Sequence, residues 1–197
     1  FRIRRKETVL SDGQAVRTPI AVYDLKASPR FICRPKNRED AYRVMSVKNQ
    51  NEAPLMPGWI SIFVGSNYVG RAMLADMILP REEFDMPFGP DNSIKVTRKI
   101  IDYKEEYKSS KIKTDQTIEI KLVNHGLEPR EVLLEEPIPV SQDSRIEVDL
   151  RDVSPDTEDP DDLGNLRWNL TLVPGEEQVV QVSYRVEHPR GLPVQGL

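Results

Sequence analysis

The sequence predicts an all-β chain of two consecutive antiparallel β-sandwich-like domains, residues 1–93 and 94–197, the second immunoglobulin-like in its Greek-key rhythm. Three observations predict it. The last third alternates short β-type runs with turn signals, from Thr117–Val123 through Asn124-His125-Gly126 to Leu166–Leu172, Pro174-Gly175 and Gln178–Val186. The middle of the first half holds a hairpin pattern, Gly58–Val64 and Tyr68–Leu74 about Gly65-Ser66-Asn67, where Gly and Asn tolerate the positive φ of a tight turn. The sixteen prolines and ten glycines are scattered, so they punctuate elements instead of marking a disordered tract.

Taken in order, Thr8–Leu10 and Ile20–Leu25 read as two strands about an Asp12-Gly13 turn. Phe31–Cys33 and Tyr42–Lys48 follow, the second with period-two alternation of Tyr42, Val44 and Ser46 against Met45 and Val47. After the hairpin, Phe84–Phe88 is a short strand that Pro87 confines to an edge or a bulge. Gly89–Asn92 reads as a turn and marks the domain boundary. Ile94–Tyr103 fits one face of a short helix as well, but its β-branched content and period two favour a long strand. Lys104–Lys113 then reads as a mobile, charged hairpin tip. Strands at Thr117–Val123, Arg130–Glu136, Ser144–Leu150, Leu166–Leu172 and Gln178–Val186 complete the second domain, with Ser154–Gly164 an acidic, solvated loop. Trp168 is expected to plug the core between sheets.

Composition excludes more than it assigns. At 197 residues the chain can bury one large or two ordinary cores without a covalent staple. The single cysteine, Cys33, allows no intrachain disulfide and no cysteine-based zinc cluster. A net charge of −4 with 30% charged residues gives no electrostatic footprint for nucleic acid. No window reaches the roughly 18 apolar residues of a membrane-spanning helix. The opening Phe1–Lys6 has neither an initiator Met nor a signal-peptide layout, and reads as the start of a fragment or processed product.

The chemistry-bearing residues are few and dispersed. Cys33 would need His125 or His188 beside it to act as a nucleophile, and a lone cysteine in a strand is ordinarily a small buried hydrophobe. His125, His188 and the acids of Asp156–Asp162 match no metal-ligand spacing or twelve-residue calcium loop, so that run is read as solvated charge. No Gly-x-Ser-x-Gly, Gly-x-Gly-x-x-Gly or phosphate-loop motif occurs. Asn169-Leu-Thr171 is a glycosylation sequon in form only. Among the aromatics, Trp59, Phe63, Tyr68, Trp168 and Tyr184 are expected mostly in the core, with Tyr103 and Tyr107 exposed. No catalytic, cofactor-binding or metal residue is assigned, and no cofactor is implied.

Several segments together resemble one family. Leu55–Gly58, Phe63–Gly65, Tyr68–Gly70, Glu83–Gly89, Pro139–Asp143, Leu166–Trp168, Leu172–Glu176 and Tyr184–Pro189, in this order, resemble the C-terminal domain of unknown function of mucoidy-inhibitor-type proteins, over roughly residues 15–190. The resemblance implies a β-rich module that follows a helical, coiled-coil-like region, and no known activity or catalytic residue. In Pro139–Asp143 the Ser and Asp are expected to bond local backbone.

The functional expectation is a non-enzymatic protein-interaction or assembly module. Its partner is an unidentified protein, and helices outside this chain could oligomerise it. The alternatives are a carbohydrate-binding module with a glycan partner, which an exposed coplanar aromatic pair would support, and a hydrolase with a composite acidic site.

Overall fold

The computed structural model describes residues 8, 10–13, 22–64 and 66–192. Ten strands run β1 (Ala27–Arg34), β2 (Arg38–Lys48), β3 (Gly58–Val64), β4 (Asn67–Leu74), β5 (Glu83–Tyr107), β6 (Lys111–Asn124), β7 (Arg130–Pro137), β8 (Glu147–Ser154), β9 (Asn165–Leu172) and β10 (Glu177–Pro189). Eight form one sheet in the order β8-β10-β6-β5-β2-β1-β7-β9, and β3 with β4 forms a separate two-stranded sheet. All pairings in the large sheet are antiparallel except that of β1 with β7.

Strict alternation explains why the large sheet curls into a closed core. On β6 the inward positions are Ile118, Ile120 and Leu122, opposite Val182 and Val180 on β10. Val132 and Leu134 of β7 and Leu166, Trp168 and Leu172 of β9 close on them from the far end of the same sheet. Period-two burial makes one face of each strand apolar, and an apolar face this wide is covered only when the sheet folds back on itself. Trp168 is buried as expected, and its indole N–H donates to the Pro155 carbonyl at 2.9 Å, tying β9 to the loop after β8.

The expected division at 93/94 falls inside β5. Gly89-Pro90 does not reverse the chain: Gly89 takes a positive φ of 91° beside a bulge opposite Arg43 and Val44, and the strand continues. The first part of β5 pairs with β2 and the second with β6, so strands of both halves share one sheet, and Phe31, Cys33 and Ala41 join the core of the second half. Pro87 and Pro90 lie where β5 has β2 on one side only, since pairing to β6 starts at Ile94, and beside the bulge opposite Arg43 and Val44, the edge and bulge positions where a strand tolerates proline. The charged stretch expected as a mobile tip is paired strand, Tyr103↔Gln116 through Tyr107↔Ile112, with only Lys108–Ser110 left to turn. Cross-strand ion pairs account for the difference: Lys111 and Lys113 meet Glu187, and Arg185 meets Asp115. Of the pair expected over Thr8–Leu10 and Ile20–Leu25, residues 9, 20 and 21 lie outside the described residues, and Thr8, Leu10 and Val22–Leu25 are not strand.

The β3–β4 hairpin is an insertion between β2 and β5, closed at its neck. Leu55 and Ile78 exchange both backbone bonds, at 2.9 and 3.0 Å. Asn49, wholly buried, bonds backbone to Glu82 and Arg81. Its side-chain NH2 donates to the carbonyls of Ala53, Ile78 and Leu79, and its side-chain oxygen accepts from Asn51. Beneath the hairpin, Leu55, Leu74 and Ile78 make a small second core with Leu25, Ile60 and Phe84.

Candidate functional site

Alternation on the hairpin gives it two unlike faces. Ile62 and Leu74 are buried toward the protein, whereas the opposite face carries Trp59, Ser61, Phe63, Tyr68, Arg71 and Met73. The register sets Trp59 opposite Met73, Ser61 opposite Arg71, and Phe63 opposite Tyr68 across a bulge. Trp59, Phe63 and Tyr68 are 66%, 58% and 57% exposed. At about 150–250 Å² per aromatic side chain, these three alone present on the order of 350 Å² to solvent. That is comparable with the largest apolar patch of a typical folded monomer, a patch that is often functional.

Two contacts shape the face. The Arg71 guanidinium carbon lies 4.7 Å from the Trp59 ring centroid, so a cation covers one side of the indole. Phe63 and Tyr68 meet edge to face, centroids 5.5 Å apart and planes at 63°. The aromatics thus form a stepped apolar surface with one cation in its middle, not a coplanar pair. Expected mostly in the core, the five aromatics divide: Trp168 and Tyr184 are buried, and Trp59, Phe63 and Tyr68 are not, because the hairpin leaves the main sheet and only one of its faces has anything to pack on. Tyr103 and Tyr107 are exposed, as expected.

The other candidates are placed as follows. Cys33 is completely buried, and burial pushes its thiol up to about 12, so it stays protonated at neutral pH. His125 is exposed, and His188 is buried at the end of β10 with Nδ1 3.1 Å from the Pro189 carbonyl. In the acidic loop, Asp161 is occupied locally: it accepts from the Leu163 and Asn165 N–H groups and pairs with Arg167 at 2.7 Å. Among the described residues no three His, Cys, Asp or Glu side chains are grouped to hold a metal. In Pro139–Asp143, the Ser141 hydroxyl donates to the Asp143 carbonyl and accepts from the Asp143 N–H, while the Asp143 carboxylate accepts from the Arg145 N–H and guanidinium, which brings its carboxyl down to about 2. Asn169 faces outward on β9.

One arrangement was not foreseen from sequence. Glu136 is wholly buried; its Oε1 accepts from Arg98 Nε at 3.1 Å and Nη2 at 2.9 Å, while Oε2 has no partner. Burial raises its carboxyl above the ordinary range, against the pull of Arg98 and Lys36. The only sequence signal is its parity: Val132, Leu134 and Glu136 share the inward face of β7.

Fold and site together define an all-β module that carries an aromatic hairpin on a closed core. The chain belongs to the family described as "Domain of unknown function (DUF4139)", whose model matches residues 1–190. It is 25% identical to the Caenorhabditis elegans protein F37C4.5, over 96% of this chain and 36% of that protein. It therefore spans about a third of the length of this curated relative. No solved structure matches it. No helix among the described residues is long and apolar enough to cross a membrane.

Proposed function

We propose that this chain is a non-enzymatic protein-interaction or assembly module whose docking element is the outer face of the β3–β4 hairpin. The single observation behind the reading is that face: three aromatics more than half exposed, on an insertion whose own small core lies on the other side. Burying them gains stability only in a complex. The lone cation, Arg71, sets the partner's chemistry: an apolar protein surface carrying a carboxylate opposite the guanidinium. A sugar platform is less well supported, since Arg71 occupies one side of Trp59 and Phe63 and Tyr68 are not coplanar. The same proposal includes the finer expectations: mucoidy-inhibitor-type kinship, an immunoglobulin-like second half, and oligomerisation through helices elsewhere in a longer parent protein.

The test compares affinity capture by the wild-type chain and by Trp59→Ser/Tyr68→Ser, with and without soluble glycans, and bound proteins identified by mass spectrometry. A partner retained by the wild type, indifferent to glycans and lost by the variant supports the reading. Equal capture by both chains sinks it, and loss to glycans alone replaces it with the sugar-binding one.

A further inference from the structure

A second concave feature lies on the inner face of β1, β2 and β7, beyond the apolar core. Antiparallel register sets Phe31 opposite Arg43 and Pro29 opposite Met45 on one face, and Arg130 stands two residues before the inward-facing Val132. Phe31 is buried, and both guanidinium groups converge on its ring, Arg43 at 5.9 Å and Arg130 at 5.3 Å from the centroid. Above it opens a cleft of about 210 Å³ lined by Pro29, Arg43, Met45, Phe88 and Arg130.

Each of the two cations on this ring meets a carboxylate of the chain through a single contact only, Arg43 through Asp91 and Arg130 through Glu128. Asp91 pairs with Arg43, but its other oxygen is taken by the Ser93 N–H and hydroxyl. Arg43 uses one Nη of its five donors there. Arg130 Nε is buried with no acceptor, and the Glu128 carboxylate, on a mostly exposed side chain, stays 3.5 Å from Nη1. Neither guanidinium has a bidentate partner, the geometry in which a guanidinium binds a carboxylate best. The side chains of the other three lining residues, Pro29, Met45 and Phe88, offer only carbon and sulfur.

We infer that this cleft binds a carboxylate carried on a compact apolar group, Arg130 and Arg43 holding the carboxylate while Pro29, Met45 and Phe88 cover the apolar part. At about 30 Å³ per water-sized group, the volume takes about seven non-hydrogen atoms. Such a group can come from a free short-chain acid or from the apolar C-terminal residue of a peptide. The site is separate from the hairpin face, so its failure leaves the docking proposal standing.

The probe is pentanoate, with pentanamide as its neutral isostere, followed by backbone-amide NMR of the whole chain. Pentanoate is expected to shift amides around Met45, Phe88 and Arg130 with a Kd on the order of 1 mM, as befits so small a ligand, and pentanamide to shift none. Arg130→Gln should weaken binding at least about tenfold with its spectrum otherwise unchanged. Should that variant not fold, Met45→Glu, which puts a resident carboxylate into the cleft, should abolish binding. A short Leu-ending peptide with a free carboxylate that binds more tightly than pentanoate, and loses binding on amidation, assigns the peptide source; a peptide that binds no better assigns the free acid. Equal binding of acid and amide, no shift with pentanoate, or unchanged binding in Arg130→Gln or Met45→Glu overturns the inference.

Discussion

The curled sheet and the β3–β4 hairpin follow the same period-two rule and come out as opposites. On β6 and β10 every inward apolar side chain from Ile118 to Leu122 and from Val180 to Val186 is almost fully buried, with strands on both sides. On the hairpin the buried residues number few, and its larger side chains point to solvent. A two-stranded hairpin is marginal in water by itself. This one persists because its neck is clamped and one face is packed. The comparison teaches that alternation gives two faces to every strand, and that the neighbours available decide which face is core.

The largest break in the comparison should come from matched truncations. Leu134→Ala, at a fully buried position in the main core, is expected to cost about 3–5 kcal/mol in urea unfolding. Met73→Ala on the hairpin's outer face should stay within about 0.5 kcal/mol. Similar costs at the two positions would mean that the hairpin face is already covered within the chain.

A smaller effect, confined to one region, should follow Asn49→Ala. It strips donors from three carbonyls at the hairpin neck and an acceptor from Asn51. The expected loss is about 2 kcal/mol. Native-state hydrogen exchange should locate it: amides of Trp59–Phe63 and Tyr68–Met73 exchange faster, while those of Ile118–Leu122 are unchanged. Uniform acceleration across both regions would show that neck and sheet open as one unit.

These contrasts also mark what the sequence made legible. The strands at Thr117–Val123, Arg130–Glu136, Leu166–Leu172 and Gln178–Val186, and the hairpin at 58–74, were readable because each alternates cleanly between turn signals. The single sheet was not. Gly89-Pro90 carries turn chemistry, and only pairing with β2 across a bulge turns it into strand, which is information held forty residues away. The exposure of Trp59, Phe63 and Tyr68 was hidden for a related reason, since a period of two shows that faces differ and not which one is covered. The cleft at Phe31 needs β1, β2, β5 and β7 together, and no spacing along the chain announces it.

The smallest expected effect concerns an acidic side chain buried in the core. Glu136 is buried with an unpartnered oxygen, and around it stand Arg98, Lys36 and Tyr184, whose own hydroxyl burial also pushes up. Because burial raises the Glu136 carboxyl in the folded state, folding favours its neutral form. That contribution is complete below the unfolded value of about 4.3 and is lost as pH rises through the higher folded value. Glu136→Gln keeps an acceptor for Arg98 and cannot ionise. Urea midpoints between about pH 4 and about pH 8 should therefore coincide for wild type and variant at the acid end, with the variant gaining as pH rises. A wild type that gains on the variant toward high pH would mean that the Arg98 pairing outweighs desolvation, and that this polar position stabilises the sheet as an ion pair. Either slope isolates Glu136, because wild type and variant share every other titratable group and the difference between them carries only this one.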